Sequence, residues 1–202
     1  MDKFIINGGK PLNGVVPISG SKNAVLPIMV ATIIAPGEYI LRNVPELWDT
    51  FTMKRLLEMV GAKIKFNNNI MNIDSSGCNN PVAPYELVKT MRASFYVLGP
   101  FMSRFNYAEV SLPGGCAWGP RPVDFHLQAL EKMGAEVKLS SGMIVTKGKL
   151  RGATISFKKS SVGATGNTIM AAVTAEGTTI IKNAAREPEI ESLCIFLNKM
   201  GA

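Results

Sequence analysis

The segment SLPGGCAWGPRPVDFH, from Ser111 to His126, gathers the side chains in this sequence best suited to covalent or acid–base chemistry. Pro113, Gly114, Gly115, Gly119, Pro120 and Pro122 favour loop backbone over helix or strand. Cys116 sits at the centre of that loop between Gly115 and Ala117, whose small side chains give the thiol little cover. A reference thiol, with pKa ~8.5, is mostly protonated near neutrality and can donate a proton, while Arg121 nearby would push it toward thiolate. The alternative of a small buried hydrophobe stays open for Cys116 and is the favoured reading for Cys78 and Cys194. His126, the single histidine, lies at the start of the following helix and is read as a structural or hydrogen-bonding group. No other base is in view for Cys116, which disfavours a Cys-His hydrolase.

Cations recur at helix starts. In Arg121-Pro-Val-Asp124 the proline and aspartate are helix-start residues, so Asp124 has a capping role open to it, whereas Arg121 has no such structural reason. Lys22 and Asn23, in SGSKNA, stand at another predicted helix N-terminus, where unsatisfied amides and the helix dipole favour an anion. The Walker A pattern GxxxxGK[ST] is absent, and a solvated lysine on a cap is the plain alternative. Lys159 precedes the Ser161-Val162-Gly163 turn, and Arg92, in KTMRAS, begins a third helix of this kind. Each signal is weak alone, but its periodic return is stronger.

The elements that must position these residues are repeated. Val60-Gly61-Ala62, Met133-Gly134-Ala135 and Met200-Gly201-Ala202 each end a helix-like run, with spacings of 73 and 67 residues. Ser21–Pro45 and Ser161–Ala185 align at an offset of 140 with seven identities in 25 positions. Each unit opens with a Ser/Gly turn and a small-residue helix (SGSKNAVLPIMVATIIA, SSVGATGNTIMAAVTAE), followed by a β-branched strand (GEYILRNV, GTTIIKNA). An amphipathic helix comes next, with Met53, Leu56, Leu57 and Val60 at i, i+3, i+4 and i+7 in one copy and Leu127, Ala129, Leu130 and Met133 in another. Glycine then supplies a left-handed cap. Hairpins such as AKIKFNNNIMNID and AEVKLSSGMIVTKG finish the unit. The pattern predicts an α/β (α+β) fold of βαβαββ repeats: two full units and a third that stops at Gly201-Ala202, before its hairpin, as a fragment would.

Composition bounds the function. With 47% hydrophobic and 18% charged residues and a mean hydropathy of +0.16, 202 residues are enough to fold around a core. The most apolar run, Ala24–Ala35, is interrupted by Pro27 and Thr32 and is too short for a membrane span of ~20 residues. MDKFIINGGK lacks a secretory h-region, so a cytoplasmic location is expected. Three scattered cysteines and one histidine disfavour disulfides and metal sites. Twenty-two Lys and Arg against 15 Asp and Glu give a net charge of +7, which suits an anionic partner. The bases are dispersed and aromatics are only 7%, so a small anionic substrate is favoured over nucleic acid or a membrane surface.

SGSKNA, APYELVKTMRAS, SLPGGCAWGPRPVDFH, SSVGAT and AEGTTIIKNAAREPEIESL, in this order and spacing, resemble the UDP-N-acetylglucosamine 1-carboxyvinyltransferases. These enolpyruvyl transferases open peptidoglycan synthesis, and with it cell-wall biogenesis, cell shape and division. The likeness covers essentially all 202 residues, and the GGC loop followed by RPVDFH is its most specific part. The sister shikimate-pathway enolpyruvyl transferases share the repeat but lack this cysteine loop. A more distant alternative is an RNA phosphate cyclase-like nucleic-acid enzyme, which uses a related repeat.

The resemblance implies an EPSP synthase-like inside-out α/β barrel, one of two such domains, each of three βαβαββ units. It implies that residues 1–20 are an N-terminal strand segment packing with the second domain. Residues 21–202 would then be the UDP-sugar-side domain, its last unit incomplete and the partner C-terminal domain absent. It implies transfer of the enolpyruvyl group of phosphoenolpyruvate to the 3-hydroxyl of UDP-N-acetylglucosamine, with no metal and no organic cofactor. Cys116 would be the proton donor, forming an adduct with phosphoenolpyruvate and alkylated by fosfomycin. Lys22, Asn23 and Arg121 would contact phosphoenolpyruvate. Arg92, Arg121, Pro122, Val123, Asp124, Phe125, Lys159, Ser160, Ser161 and Val162 would contact the UDP-sugar. Members of the family are about twice this length and draw a catalytic aspartate and further arginines from their second half. The expectation for this chain alone is therefore a weak or inactive enzyme, or a UDP-sugar-binding half.

Overall fold

The computed structural model describes residues 3–112 and 123–202. Residues 3–21 hold neither helix nor strand, and Phe4, Ile5, Ile6, Leu12, Val15, Val16 and Ile18 along them are exposed. A strand needs a partner to accept its ladder bonds, and none of the described residues offers one to this segment.

The repeat is visible in the order of elements. The first unit runs α1 (Lys22–Ala31), β1 (Glu38–Leu41), α2 (Trp48–Val60), β2 (Lys63–Asn67) and β3 (Ile70–Asp74). The second runs β4 (Val82–Ala83), α3 (Tyr85–Val88), a 3-10 segment (Arg92–Val97) leading into α4 (Leu98–Phe105), β5 (Tyr107–Ser111), α5 (Asp124–Lys132), β6 (Glu136–Ser140) and β7 (Met143–Lys147). The third holds β8 (Thr154–Ser156), α6 (Val162–Ala172), β9 (Ile180–Lys182) and α7 (Pro188–Lys199). The second unit is thus the complete βαβαββ. Against the expectation of two full units, the first lacks its opening strand among the described residues, because that strand would fall in the unpaired segment before α1.

Strand pairing repeats the same plan. The first sheet has order β1-β3-β2, all antiparallel; the second has β4-β5-β7-β6, with β4 and β5 parallel and the rest antiparallel; in the third β8 and β9 are parallel. The first sheet therefore matches the last three strands of the second, and the third matches its first two. Hairpin turns carry the residues that tolerate positive φ, Asn68-Asn69 between β2 and β3 and Ser141-Gly142 between β6 and β7. Gly61, Gly134 and Gly201 all lie in the left-handed region after their helices, as the repeated tripeptide predicts. Asn43 and Asn183, 140 positions apart, share a φ of 57° and 55°.

The helices lie inside and the sheets outside. α1, α4 and α6 are the inner set: α4 packs on α6, and α1 packs on the 3-10 segment. α2 and α7 flank α1, and α5 flanks α6. The stripe Met53, Leu56, Leu57 and Val60 of α2 is fully buried, each side chain worth ~1.5–3 kcal/mol of apolar burial. On α5 the buried stripe is His126, Ala129, Leu130 and Met133, so the histidine takes the position that the spacing gives to Leu127, which is only half-buried.

Small residues let the inner helices approach. Gly99 of α4 lies so close to α6 that a Cβ there would stand 2.4 Å from the Asn167 carbonyl oxygen. Arg104 ties the first unit to the second, donating to the carbonyls of Ile33 at 3.0 Å and Ser75 at 2.9 Å. Gly99→Ala is expected to cost about 1–3 kcal/mol despite alanine's better helix propensity, because backbone blocks the added methyl. Urea denaturation would read this, and an unchanged midpoint would show that α4 and α6 can separate without cost.

Candidate functional site

The N-termini of α1, α6, α2 and α5 and the 3-10 segment that leads into α4 meet around one cleft of ≈ 590 Å³. α1 brings Lys22 and Asn23, the 3-10 segment brings Arg92 and Tyr96, and α6 brings Ser161, Val162 and Gly163. Asp49 from the first turn of α2, and Val123 and His126 from the start of α5, complete the wall. The capping is local and sequence-driven: Ser21 Oγ accepts from the Ala24 N–H at 3.4 Å, and Ser161 Oγ accepts from the Ala164 N–H at 3.3 Å. The remaining first-turn amides have no acceptor within their own helices, so the cleft is ringed by donors and by the positive ends of helix dipoles.

Two cations add to that potential, Lys22 and Arg92. Lys22 Nζ lies 3.0 Å from Asp49 Oδ2. This pair is partly exposed and contributes only ~0.2–1 kcal/mol; Asp49 also sits favourably at the head of α2. An arriving phosphate or carboxylate can therefore take Lys22 from Asp49 at small cost. Tyr96 lines the cleft as well, and burial, with Glu189 as a second cause, raises its phenol to about 12.

His126 is 7% exposed, and its ring meets the edge of Phe95 at 4.9 Å and 87°. Its Nδ1 lies 2.9 Å from Asn167 Nδ2. Burial, with Arg92 as a second cause, holds the imidazole pKa down to about 3, so the ring is uncharged at neutral pH. Its far edge faces α6, where a Cβ on Gly163 would come 3.2 Å from Cε1 and 3.3 Å from Nε2.

Of the sequence-predicted residues, the cleft unites Lys22, Asn23, Arg92, Val123, Ser161 and Val162. Asp124 is exposed at the head of α5, and Lys159 and Ser160 are exposed ahead of α6; none of the three lines the cleft. Phe125 is half-buried with its ring 5.9 Å from Phe157, a packing contact. Cys116, Arg121 and Pro122 lie outside the described residues. Cys78 is buried and Cys194 half-buried, and burial pushes both thiols up, as suits structural cysteines. Sequence reasoning missed Asp49, Tyr96 and Asn167 as parts of the site. Tyr96 had a signal, since it falls four residues after Arg92; Asp49 and Asn167 had none. Among the described residues no group of three or more His, Cys, Asp or Glu side chains forms a metal site, and no helix is long and apolar enough to cross a membrane.

Residues 6–202 match the family described as EPSP synthase (3-phosphoshikimate 1-carboxyvinyltransferase). A UDP-N-acetylglucosamine 1-carboxyvinyltransferase of Chlorobaculum parvum is 56% identical over 206 residues, covering 100% of this chain and 49% of that protein. The enzyme of the same name from Geotalea uraniireducens is 56% identical over 203 residues with the same coverage. The chain thus spans about half the length of the curated relatives it matches. Among solved structures, the enolpyruvyl transferase NikO from Streptomyces tendae superposes with a TM-score of 0.82 at 21% identity, over 96% of this chain and 46% of that one. EPSP synthase from Acinetobacter baumannii superposes at 0.71 and 18% identity, over 88% and 42%. At these identities the superpositions speak for the fold: mixed α/β, with helices inside.

The buried neutral imidazole has a consequence for stability. Its folded pKa lies below the unfolded value of ~6.5, so its contribution is complete above that value and is lost as pH falls toward about 3. Between pH 7 and pH 5 the wild-type chain is expected to lose about 2 kcal/mol more than a His126→Gln variant, by urea denaturation at both pH values. Equal losses would show that His126 titrates normally in the folded chain.

Proposed function

The chain belongs to the EPSP synthase family, and from that premise we propose that it serves transfer of the enolpyruvyl group of phosphoenolpyruvate to the 3-hydroxyl of UDP-N-acetylglucosamine, with release of phosphate. This would be a cytoplasmic step at the entry to peptidoglycan synthesis, upstream of cell-wall growth and division. The observation that carries the reading is the ring of helix N-termini with Lys22 and Arg92 around one cleft. Substrates bearing a diphosphate, a phosphate and a carboxylate need fixed donors and cations that do not reorganise during the reaction. The choice of UDP-sugar over a shikimate-type acceptor is supported by the name and 56% identity of the curated relatives and by the Cys116 loop.

In this reading the sugar 3-hydroxyl adds to C2 of phosphoenolpyruvate while C3 takes a proton. The tetrahedral intermediate then loses phosphate from C2 and a proton from C3, restoring the double bond. Cys116 is proposed as the C3 proton donor and as the residue that fosfomycin alkylates. Lys22, Asn23 and Arg121 would hold phosphoenolpyruvate. Arg92, Arg121 through Phe125 and Lys159 through Val162 would hold the UDP-sugar. Phe125, packed on Phe157, would contribute through its backbone and by fixing the start of α5. Residues 1–20 are proposed to pair with a second domain, which would cover the apolar side chains exposed along them.

Binding and turnover are tested separately, because the chain spans half of its relatives' length. Calorimetry with UDP-N-acetylglucosamine, with and without phosphoenolpyruvate, should show binding that Lys22→Ala or Arg92→Ala weakens roughly 10- to 100-fold, the range for a lost charge-assisted hydrogen bond. Retention of RNA that falls steeply with salt, in place of UDP-sugar binding, would point to a nucleic-acid enzyme instead. Phosphate release from the two substrates is expected to be weak for these 202 residues alone and normal in a chain of full family length. There Cys116→Asp should keep substantial activity and Cys116→Ser lose most of it; a folded but inactive Asp variant would remove proton donation as the role of Cys116.

A further inference from the structure

We infer that Asn167 fixes the tautomer of His126 and thereby makes its Nε2–H a preset hydrogen-bond donor to an oxygen of the anionic ligand in the cleft. Asn167 is 3% exposed and uses both ends of its amide. The Gly99 N–H, which can only donate, lies 2.8 Å from one end, so that end is Oδ1. The Phe95 carbonyl, which can only accept, lies 3.0 Å from the other, so that end is Nδ2. The amide orientation is therefore dictated by backbone groups on both sides.

The third contact follows from the first two. His126 Nδ1 stands 2.9 Å from the same Nδ2, whose second hydrogen is a donor. Nδ1 must accept, so the ring proton resides on Nε2. An imidazolium would set two N–H groups against each other at this contact, which opposes protonation together with burial and Arg92. His126 and Gly163 both line the cleft, and the ring edge carrying Nε2 lies beside Gly163 in the first turn of α6. There it joins Arg92 and the α6 amides, all of them donors, so the matching ligand group is an oxygen rather than a ring nitrogen that itself donates.

Asn167 does more than orient one ring. It sits on α6, accepts from α4, donates to the 3-10 segment that begins with Arg92, and donates to α5. One side chain thus holds the relative placement of three cleft walls, with His126 clamped between Asn167 and the Phe95 ring. Asn167 is a positioning residue; His126 is the group that touches ligand. The identity of that ligand rests on the enolpyruvyl-transfer reading, whereas the tautomer does not.

Because His126 is the single histidine, long-range 1H–15N spectra of the histidine-labelled wild-type chain read its two ring nitrogens directly. The expected result is a protonated Nε2, an unprotonated Nδ1, and no titration between pH 8 and pH 5. A proton on Nδ1, or a midpoint near 6.5, overturns the inference without any variant. In Asn167→Asp the carboxylate would accept from Nδ1–H, so the expected result is a switched tautomer and a ring that titrates at higher pH. A folded variant with the wild-type spectrum overturns the role of Asn167. Adding UDP-N-acetylglucosamine, and separately inorganic phosphate, should move the Nε2 resonance. If phosphate moves it and the UDP-sugar does not, the donor stands and the enolpyruvyl-transfer reading falls. If neither moves it, His126 is not a ligand donor.

Discussion

Where α6 crosses α4, Gly99 carries no side chain, and the backbone of one helix meets the backbone and amide of the other at Asn167. A buried polar side chain is stable there only because each of its hydrogen-bonding groups has a partner. That requirement propagates. Satisfying Asn167 fixes the 3-10 segment through Phe95, fixes α5 through His126, and so fixes how the heads of three helices surround the cleft. A larger residue at Gly99 or an unmatched one at Asn167 would disturb packing and site together, so stability and binding geometry share one origin here.

The cleft works by preset polarity more than by net charge. Lys22 pairs with Asp49, Arg92 opens the 3-10 segment, and the His126 imidazole is uncharged at neutral pH. What stays constant is a ring of donors supplied by the helix amides, joined by the Nε2–H inferred for His126. Donors fixed by secondary structure need little reorganisation to meet an anion, which is the condition under which electrostatic stabilisation is strong. An inside-out fold produces this arrangement naturally. Small-residue helices brought to the centre point their N-termini at one place, while the sheets remain outside with a polar outer face.

The repeat, its glycine caps and its hairpin turns were legible in the residues, because period-2 and period-3.6 patterns and positive-φ requirements are local properties of the chain. The cations at helix starts were legible for the same reason, and six of the predicted residues meet in one cleft. Phe125 illustrates the limit: its ring packs on Phe157, a partner 32 positions away that no local pattern reveals. His126 illustrates the converse, since a polar residue occupies a core position on α5 that spacing assigned to a leucine.

The sequence by itself determined the repeat, the order of elements within it and, through the motifs from SGSKNA to AEGTTIIKNAAREPEIESL, the family, since periodicity, turn chemistry and motif spacing are written along the chain. Only the tertiary structure decided that Asp49 pairs with Lys22, that His126 is buried and uncharged, and that Asn167 bonds to α4, the 3-10 segment and α5 at once. Those facts depend on distances between residues 27 to 72 positions apart and on the exclusion of water from between them. Neither is encoded in any window of sequence short enough to be read.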